Sequence, residues 1–148
     1  KKNKKIKIEK SVKLLLNEEN KFGIRKFETY KKFGEKVYKI RENVLKNLDL
    51  IKRKRTNLIG YGSPAKATTS LNFFGITNEI NFIVEDNKLK HGKYVPGVKI
   101  PIKNKKAIIG KNNSIIVLAW NFFNEIKKNN SSLSKNFINI KDLEKEVI

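Results

Sequence analysis

The sequence predicts an α/β fold, a small three-layer domain built on a parallel sheet and preceded by two helices. Three observations carry this prediction. Apolar residues recur at helical spacing through the first third of the chain, and short apolar runs of strand type then alternate with helical patterns. A glycine turn joins the first of those strands to the helix that follows it. The expected division is a helical segment over residues 1–51 and an α/β domain over 52–148.

Residues 1–10, KKNKKIKIEK, form a basic lead-in that is expected to be partly unstructured. Ser11 then offers an N-cap to a short amphipathic helix carrying Val12, Leu15 and Leu16, which ends near residues 21–23. A longer pattern follows, with Tyr30, Phe33, Val37, Ile40, Val44, Leu48 and Ile51 at three- and four-residue steps. This is one apolar helical face, expected to lie on a core. The texture changes at Lys52. Residues 56–61, TNLIGY, read as a strand, punctuated by Gly62, Ser63 and Pro64, with Pro64 expected as the first helical residue. Residues 65–74 carry Leu71, Phe73 and Phe74 on a helical pattern, and Gly75 sits where a C-terminal cap belongs. Residues 80–84 are a second strand, ending in Glu85 and Asp86. Strand, glycine turn, helix, strand and acid in that order begin a right-handed parallel βαβ unit.

Residues 87–102 hold Gly92, Pro96, Gly97 and Pro101, and read as loop with a short strand around 98–100. Residues 114–119, SIIVLA, suit a strand buried on both faces. A helix over 120–128 turns Phe122, Phe123 and Ile126 inward, and residues 135–140 form a last strand in which Phe137 and Asn139 alternate with Ile138 and Ile140.

Composition excludes several classes of function. A chain of 148 residues and 17.2 kDa holds one ordinary domain and not two catalytic ones. With 39% hydrophobic and 32% charged residues and only eleven Pro and Gly, it is neither disordered nor collagen-like. Cysteine is absent, which removes disulfides, thiolate nucleophiles and Cys-based metal sites, and the single His91 cannot build a His-rich one. No apolar run approaches the roughly 18–20 residues of a membrane span, and the basic start has no apolar stretch behind it. A cytoplasmic protein is expected. The net charge of +20 suggests nucleic acid at first sight. Against that, 30 of the 34 basic residues are Lys, scattered through every segment, and nucleic-acid sites favour Arg. Lys, Asn and Ile fill 68 of the 148 positions, and all three can be encoded by A and T alone. The charge therefore reads as codon bias, and no specific nucleic-acid partner is expected.

Gly60-Tyr61-Gly62-Ser63-Pro64-Ala65 has the spacing of a dinucleotide fingerprint with Ala in place of the third glycine. Such glycines let the backbone approach a phosphate at a helix N-terminus. Asp86, 24 residues beyond Gly62, stands where an acid would bond a ribose hydroxyl. The same residues also suffice for a purely structural strand-to-helix turn. Lys66, in the first turn of the following helix, opposes the helix dipole, a conflict that a nearby phosphate or carboxylate would relieve. His91 lies in the loop after the acidic strand end and reads as an exposed, non-catalytic histidine. Trp120 and Glu125 follow the buried strand at the sheet edge where α/β folds bind ligands, with Trp120 equally suited to plug the core.

The runs GYGSPAKATTSLNFFGI, INFIVEDNKLKHGKYVPGVKIPI and IIVLAWNFFNEI, with NEENKFG and YKKFGEKV upstream, resemble the C-terminal domain of S-adenosylmethionine-dependent sugar C-methyltransferases. The usual Gly-Tyr-Gly-Ala-Pro-Ala-Lys-Gly has Ser63 and Ala67 here, and the usual Val-Asp-Arg-Asn-Pro reads Val84-Glu85-Asp86-Asn87-Lys88, which shifts the acid by one residue. Full-length members carry a cysteine-rich zinc motif and a methyltransferase domain that binds S-adenosylmethionine and supplies catalytic His and Tyr. The resemblance implies that this chain is the second, Rossmann-like domain, inactive alone, which packs on the catalytic domain and helps to shape a nucleotide-sugar site. The parent enzyme would abstract a proton beside the sugar ketone and pass the carbanion to the methyl sulfonium, with residues outside this chain. The candidate substrate contacts are Gly60, Tyr61, Gly62, Ser63, Lys66, Asp86, Lys90 and Tyr94, and no catalytic or metal-binding residue is expected. The competing expectation is a stand-alone module binding NAD or a nucleotide sugar at the glycine turn.

Overall fold

The computed structural model describes residues 8–54, 56–110 and 112–146. Most of the basic lead-in, residues 1–7, lies outside them. The chain divides into two compact units, Lys1–Lys39 and Ile40–Ile148.

In the first unit α1 spans Lys10–Phe22 and ends on Gly23 in the left-handed conformation, whose N–H donates to the carbonyls of Glu19 and Asn20. Ser11 is not the N-cap. The helix begins at Lys10 with Glu9 in the cap position, and the Ser11 hydroxyl turns to the Glu9 carboxylate at 3.5 Å. No residue of α1 is buried. The next helix, α2, spans Phe27–Arg53. Its apolar face is not uniformly covered, since Tyr30 and Phe33 are exposed whereas Val44 and Leu48, in the second unit, are buried.

The second unit is a five-stranded sheet, all parallel, in the order β3-β2-β1-β4-β5. The strands are β1 Asn57–Tyr61, β2 Ile83–Val84, β3 Ile102–Lys103, β4 Asn113–Val117 and β5 Asn136–Asn139. Alternation along β1 builds two cores. Leu58 joins Val44, Leu48, Leu71, Ile83, Ile116 and Ile140 on one face, and Ile59 and Tyr61 join Val84, Ile115 and Val117 on the other. The first core is covered by the second part of α2 and by α3, Ala65–Phe74, whose buried residues Ala67, Leu71 and Phe74 recur at helical steps. Phe123 and Ile126 of α4, Phe123–Asn129, pack against the second. The expected three layers are therefore present, and no helix among the described residues is long and apolar enough to cross a membrane.

Several boundaries differ from the sequence expectation for local reasons. Pro64 sits one place outside α3, at ψ 165, where its carbonyl accepts the N–H of Ala67 at 2.9 Å. The second strand shortens to two residues, preceded by a turn in which the Glu79 carboxylate bonds the N–H groups of Thr77 and Asn78. No strand forms at 98–100. Lys99 adopts φ 58, and a turn closed by Lys99 N–H to the Val95 carbonyl displaces the strand to Ile102–Lys103. After β4 the chain takes a tighter 3-10 turn, Trp120–Phe122, before α4. That shift of phase leaves Phe122 60% exposed instead of inward. Phe73 is likewise on the outer side of α3, at 37% exposure.

Residues 143–145 are pinned by amide side chains of α2. Asn43 Nδ2 donates to the Glu144 carbonyl at 3.0 Å, and Asn47 Nδ2 to those of Leu143 and Lys145 at 2.9 and 3.0 Å. This holds the 3-10 turn Ile140–Glu144, with buried Ile140 and Leu143, against the first core. Asn43→Ala should lower stability by about 1–2 kcal/mol in urea denaturation, since Asn43 is buried and its partner loses a well-placed donor.

Candidate functional site

The carboxyl ends of β1 and β2 bring the glycine turn and the acidic pair together. Parallel pairing aligns Tyr61 with Val84, so the residues that follow each strand meet above the same edge of the sheet. Gly62, at φ 84, reverses the chain there, and its N–H donates to the Val84 carbonyl at 2.8 Å. The turn is also closed from behind. A Cβ on Gly62 would lie 2.9 Å from the Ala119 Cβ, and one on Gly60 would lie 2.8 Å from Ile83 Cγ1. Packing alone thus demands both glycines of the fingerprint.

Glu85, the first residue after β2, receives the turn. Its Oε2 accepts the Ser63 N–H at 2.9 Å and the Ser63 hydroxyl at 2.6 Å, while Oε1 accepts the Asn87 N–H at 3.1 Å. Lys90 Nζ bridges the two sides, donating to the Ser63 carbonyl at 2.9 Å and to Glu85 Oε2 at 3.3 Å. The Glu85 side chain is only 13% exposed. Burial raises its pKa, but the Ser63 hydroxyl, the N–H groups of Asn87 and Ser63 and the Lys90 charge outweigh burial and hold it at about 2. His91 Nε2 stands 2.7 Å from the Glu85 carbonyl oxygen, an acceptor, which requires the proton on that nitrogen. The histidine therefore secures the loop.

Asp86 builds a second network on the other side. The Tyr61 hydroxyl donates to its Oδ2 at 2.9 Å, and Lys105 Nζ pairs with its Oδ1 at 2.8 Å. Burial pushes the Tyr61 pKa up, with Asp86 adding to and Lys105 opposing the rise. For Lys105, burial acts downward and is outweighed by its bonds to Asp86 and Tyr61, so its pKa rises. Asp86 remains largely exposed and opens on a hollow of about 530 Å³, lined by Glu85, Lys88, His91, Lys105 and Lys106.

Of the residues singled out in the sequence, Gly60, Tyr61, Gly62, Ser63, Asp86 and Lys90 meet at this edge. Tyr94, 63% exposed, shares a smaller hollow of about 190 Å³ with Ser63 and Lys90. Lys66 turns elsewhere. Its Nζ lies 4.5 Å from the centroid of the Trp120 ring, which Lys141 also approaches at 5.4 Å. A ring face, not a carboxylate, therefore takes the cation that opposes the dipole of α3. Trp120 is half-buried against the first core and, with Glu125, lines a separate hollow of about 340 Å³. Glu85 and Lys105 escaped sequence reasoning. The one-residue shift of the acid pointed to Glu85, whereas nothing marks Lys105 among 30 lysines. Among the described residues no group of three or more His, Asp or Glu could hold a metal ion.

Residues 1–139 match the family of C-methyltransferase C-terminal domains. The chain is also similar to the C-methyltransferase NovU of Streptomyces niveus, at 29% identity over 124 residues. That alignment takes in 82% of this chain and 30% of NovU, so the match spans less than a third of the relative's length.

Proposed function

Since the chain belongs to the family of C-methyltransferase C-terminal domains, we propose that it is the substrate-side domain of an enzyme that methylates a carbon of a nucleotide-linked keto-deoxysugar. In this reading the methyl transfer takes place on a companion domain outside this sequence, and the chain alone is inactive. One observation carries the substrate assignment. The hollow beside Asp86 combines the ammonium groups of Lys88, Lys105 and Lys106 with a carboxylate that still has exposed surface. Ammonium groups suit a diphosphate, and a carboxylate accepts from sugar or ribose hydroxyls. Lys90 and Tyr94 line the adjoining smaller hollow. Lys66, over Trp120, would act as a support and not as a contact.

S-adenosylmethionine, the methyl donor this family implies, supplies an electrophilic methyl group when bound. The glycine turn does not fit it. Glu85, the acid that meets the turn, is spent on Ser63 and Lys90, and both glycines are close-packed. The same two facts speak against a stand-alone NAD module. The exposed aromatic residues Phe22, Phe27, Tyr30 and Phe33 leave apolar surface for a companion domain.

An NMR shift titration of the chain at physiological salt tests the reading. A thymidine diphosphate sugar should move the amides of residues 86–94 and 104–106, and S-adenosylmethionine should move none. Saturable shifts with S-adenosylmethionine, or silence with the nucleotide sugar, would overturn it.

A further inference from the structure

We propose that the glycine turn carries its own anion: the Glu85 carboxylate fills the seat that phosphate takes in dinucleotide-binding folds, and so excludes phosphates from the turn. This goes beyond the substrate assignment and holds whatever the substrate is.

The parts of a phosphate seat are all present. A parallel strand is followed at once by a glycine at positive φ, and a ten-residue helix begins three residues later with its positive end toward the turn. The first N–H beyond Gly62 is that of Ser63. It points at Glu85 Oε2, and the Ser63 hydroxyl points at the same oxygen, at 2.9 and 2.6 Å. Glu85 thus accepts from two backbone N–H groups, one hydroxyl and one ammonium, a set of donors ordinarily offered to a phosphate. The ammonium is committed as well, since Lys90 also donates to the Ser63 carbonyl. An entering phosphate would have to expel the carboxylate and then stand beside it. Ala119 closes against Gly62, so the turn has no slack at that glycine.

Occupation from within also accounts for the side-chain chemistry of the turn. A serine at position 63 gives the carboxylate its shortest bond, and the glutamate reaches across from the neighbouring strand end without distorting the parallel register of Tyr61 with Val84. Glu85 is in this view a specificity-determining residue. It sends any diphosphate to the lysine-lined hollow around Asp86 and away from the helix N-terminus.

The test compares the intact 148-residue chain with its Glu85→Ala and Asp86→Asn variants by amide shift titration with inorganic pyrophosphate. In the unaltered chain the Ser63 and Ala65 amides should stay still. In Glu85→Ala they should shift saturably, with an affinity roughly tenfold or more above that of the unaltered chain, the scale of one charge-assisted hydrogen bond. Asp86→Asn removes the same charge one residue later and should leave the Ser63 amide silent, which separates a vacated seat from a general gain in positive charge. Saturable Ser63 shifts in the unaltered chain, or silence in folded Glu85→Ala, would overturn the proposal. Should Glu85→Ala fail to fold, Glu85→Ser takes its place: its short neutral side chain cannot reach across to Ser63, so the seat is vacated and pyrophosphate should move Ser63, and silence there would again overturn the proposal. Pyrophosphate carries neither base nor sugar, so failure of the nucleotide-sugar titration leaves this outcome unaffected.

Discussion

Replacing Gly60 by valine is expected to remove most of the stability of the sheet unit. Gly60 is buried in β1, the middle strand of five, with β2 on one side and β4 on the other. The single Cβ of an alanine would already stand 2.8 Å from Ile83 Cγ1 and 3.1 Å from Leu118 Cδ1. Neither neighbour can swing away, because Ile83 is 0% and Leu118 1% exposed. Valine adds two further methyl groups to the same gap, so the strands must part or Ile83 must leave its rotamer. Overpacking of a tight core costs about 1–3 kcal/mol, and here three carbons arrive together, so a loss of about 3 kcal/mol or more is expected. Against a total stability of about 5–15 kcal/mol this is a large fraction. Urea denaturation followed by far-UV circular dichroism measures it. A variant as stable as the parent would mean that Gly60 serves something other than packing.

The sheet unit was legible in the sequence wherever burial on both faces forces a continuous apolar run. Residues 57–61 and 113–117 are central strands in which Leu58 and Ile59, and Ile115, Ile116 and Val117, form the apolar runs, while the buried polar Asn113 and Ser114 fall at the start of the second. Helix α3 was legible to the residue at its end, because Gly75 adopts the left-handed cap that the sequence demanded. What was not legible lies at the sheet edge and in the phase of short turns. The strand Ile102–Lys103 is two residues long and is placed by a turn at Lys99 that no residue type announces. Phe122 changed sides because the chain enters α4 through a tighter turn.

At the candidate site, spacing correctly brought the glycine turn and the acidic strand end to one place, since parallel register follows from the βαβ pattern. It could not say which acid meets the turn. Adjacent residues after a strand point to opposite sides, so Glu85 and Asp86 enter different networks, one with Ser63 and Lys90, the other with Tyr61 and Lys105. Long lysine side chains add to the ambiguity. Lys66 reaches the Trp120 ring and Lys105 reaches Asp86 from a distant stretch of chain, and a sequence rich in lysine marks neither.

Glu85 should also govern how the domain responds to acid. Its pKa in the folded chain lies at about 2 against an ordinary 4.5, so the native state holds the charged form more strongly than the unfolded chain does. For a carboxylate depressed in this way the sign is fixed. Its contribution is fully present above about pH 4.5, declines as pH falls, and is gone once pH has dropped through about 2. The shift corresponds to about 2–3 kcal/mol once solvent screening of the half-exposed Lys90 is allowed for. Glu85→Gln keeps the shape and can still accept from Ser63, but it forfeits the charge. The variant should therefore be less stable than the parent by about 2–3 kcal/mol at neutral pH, and the gap should close as pH approaches about 2. Urea midpoints measured for both proteins at a series of pH values give the difference directly. A gap that stays constant with pH would show that shape alone holds Glu85 in the turn. A gap that closes identifies the carboxylate charge as what joins the glycine turn to the Asn87 N–H and to Lys90 beside the Asp86 hollow.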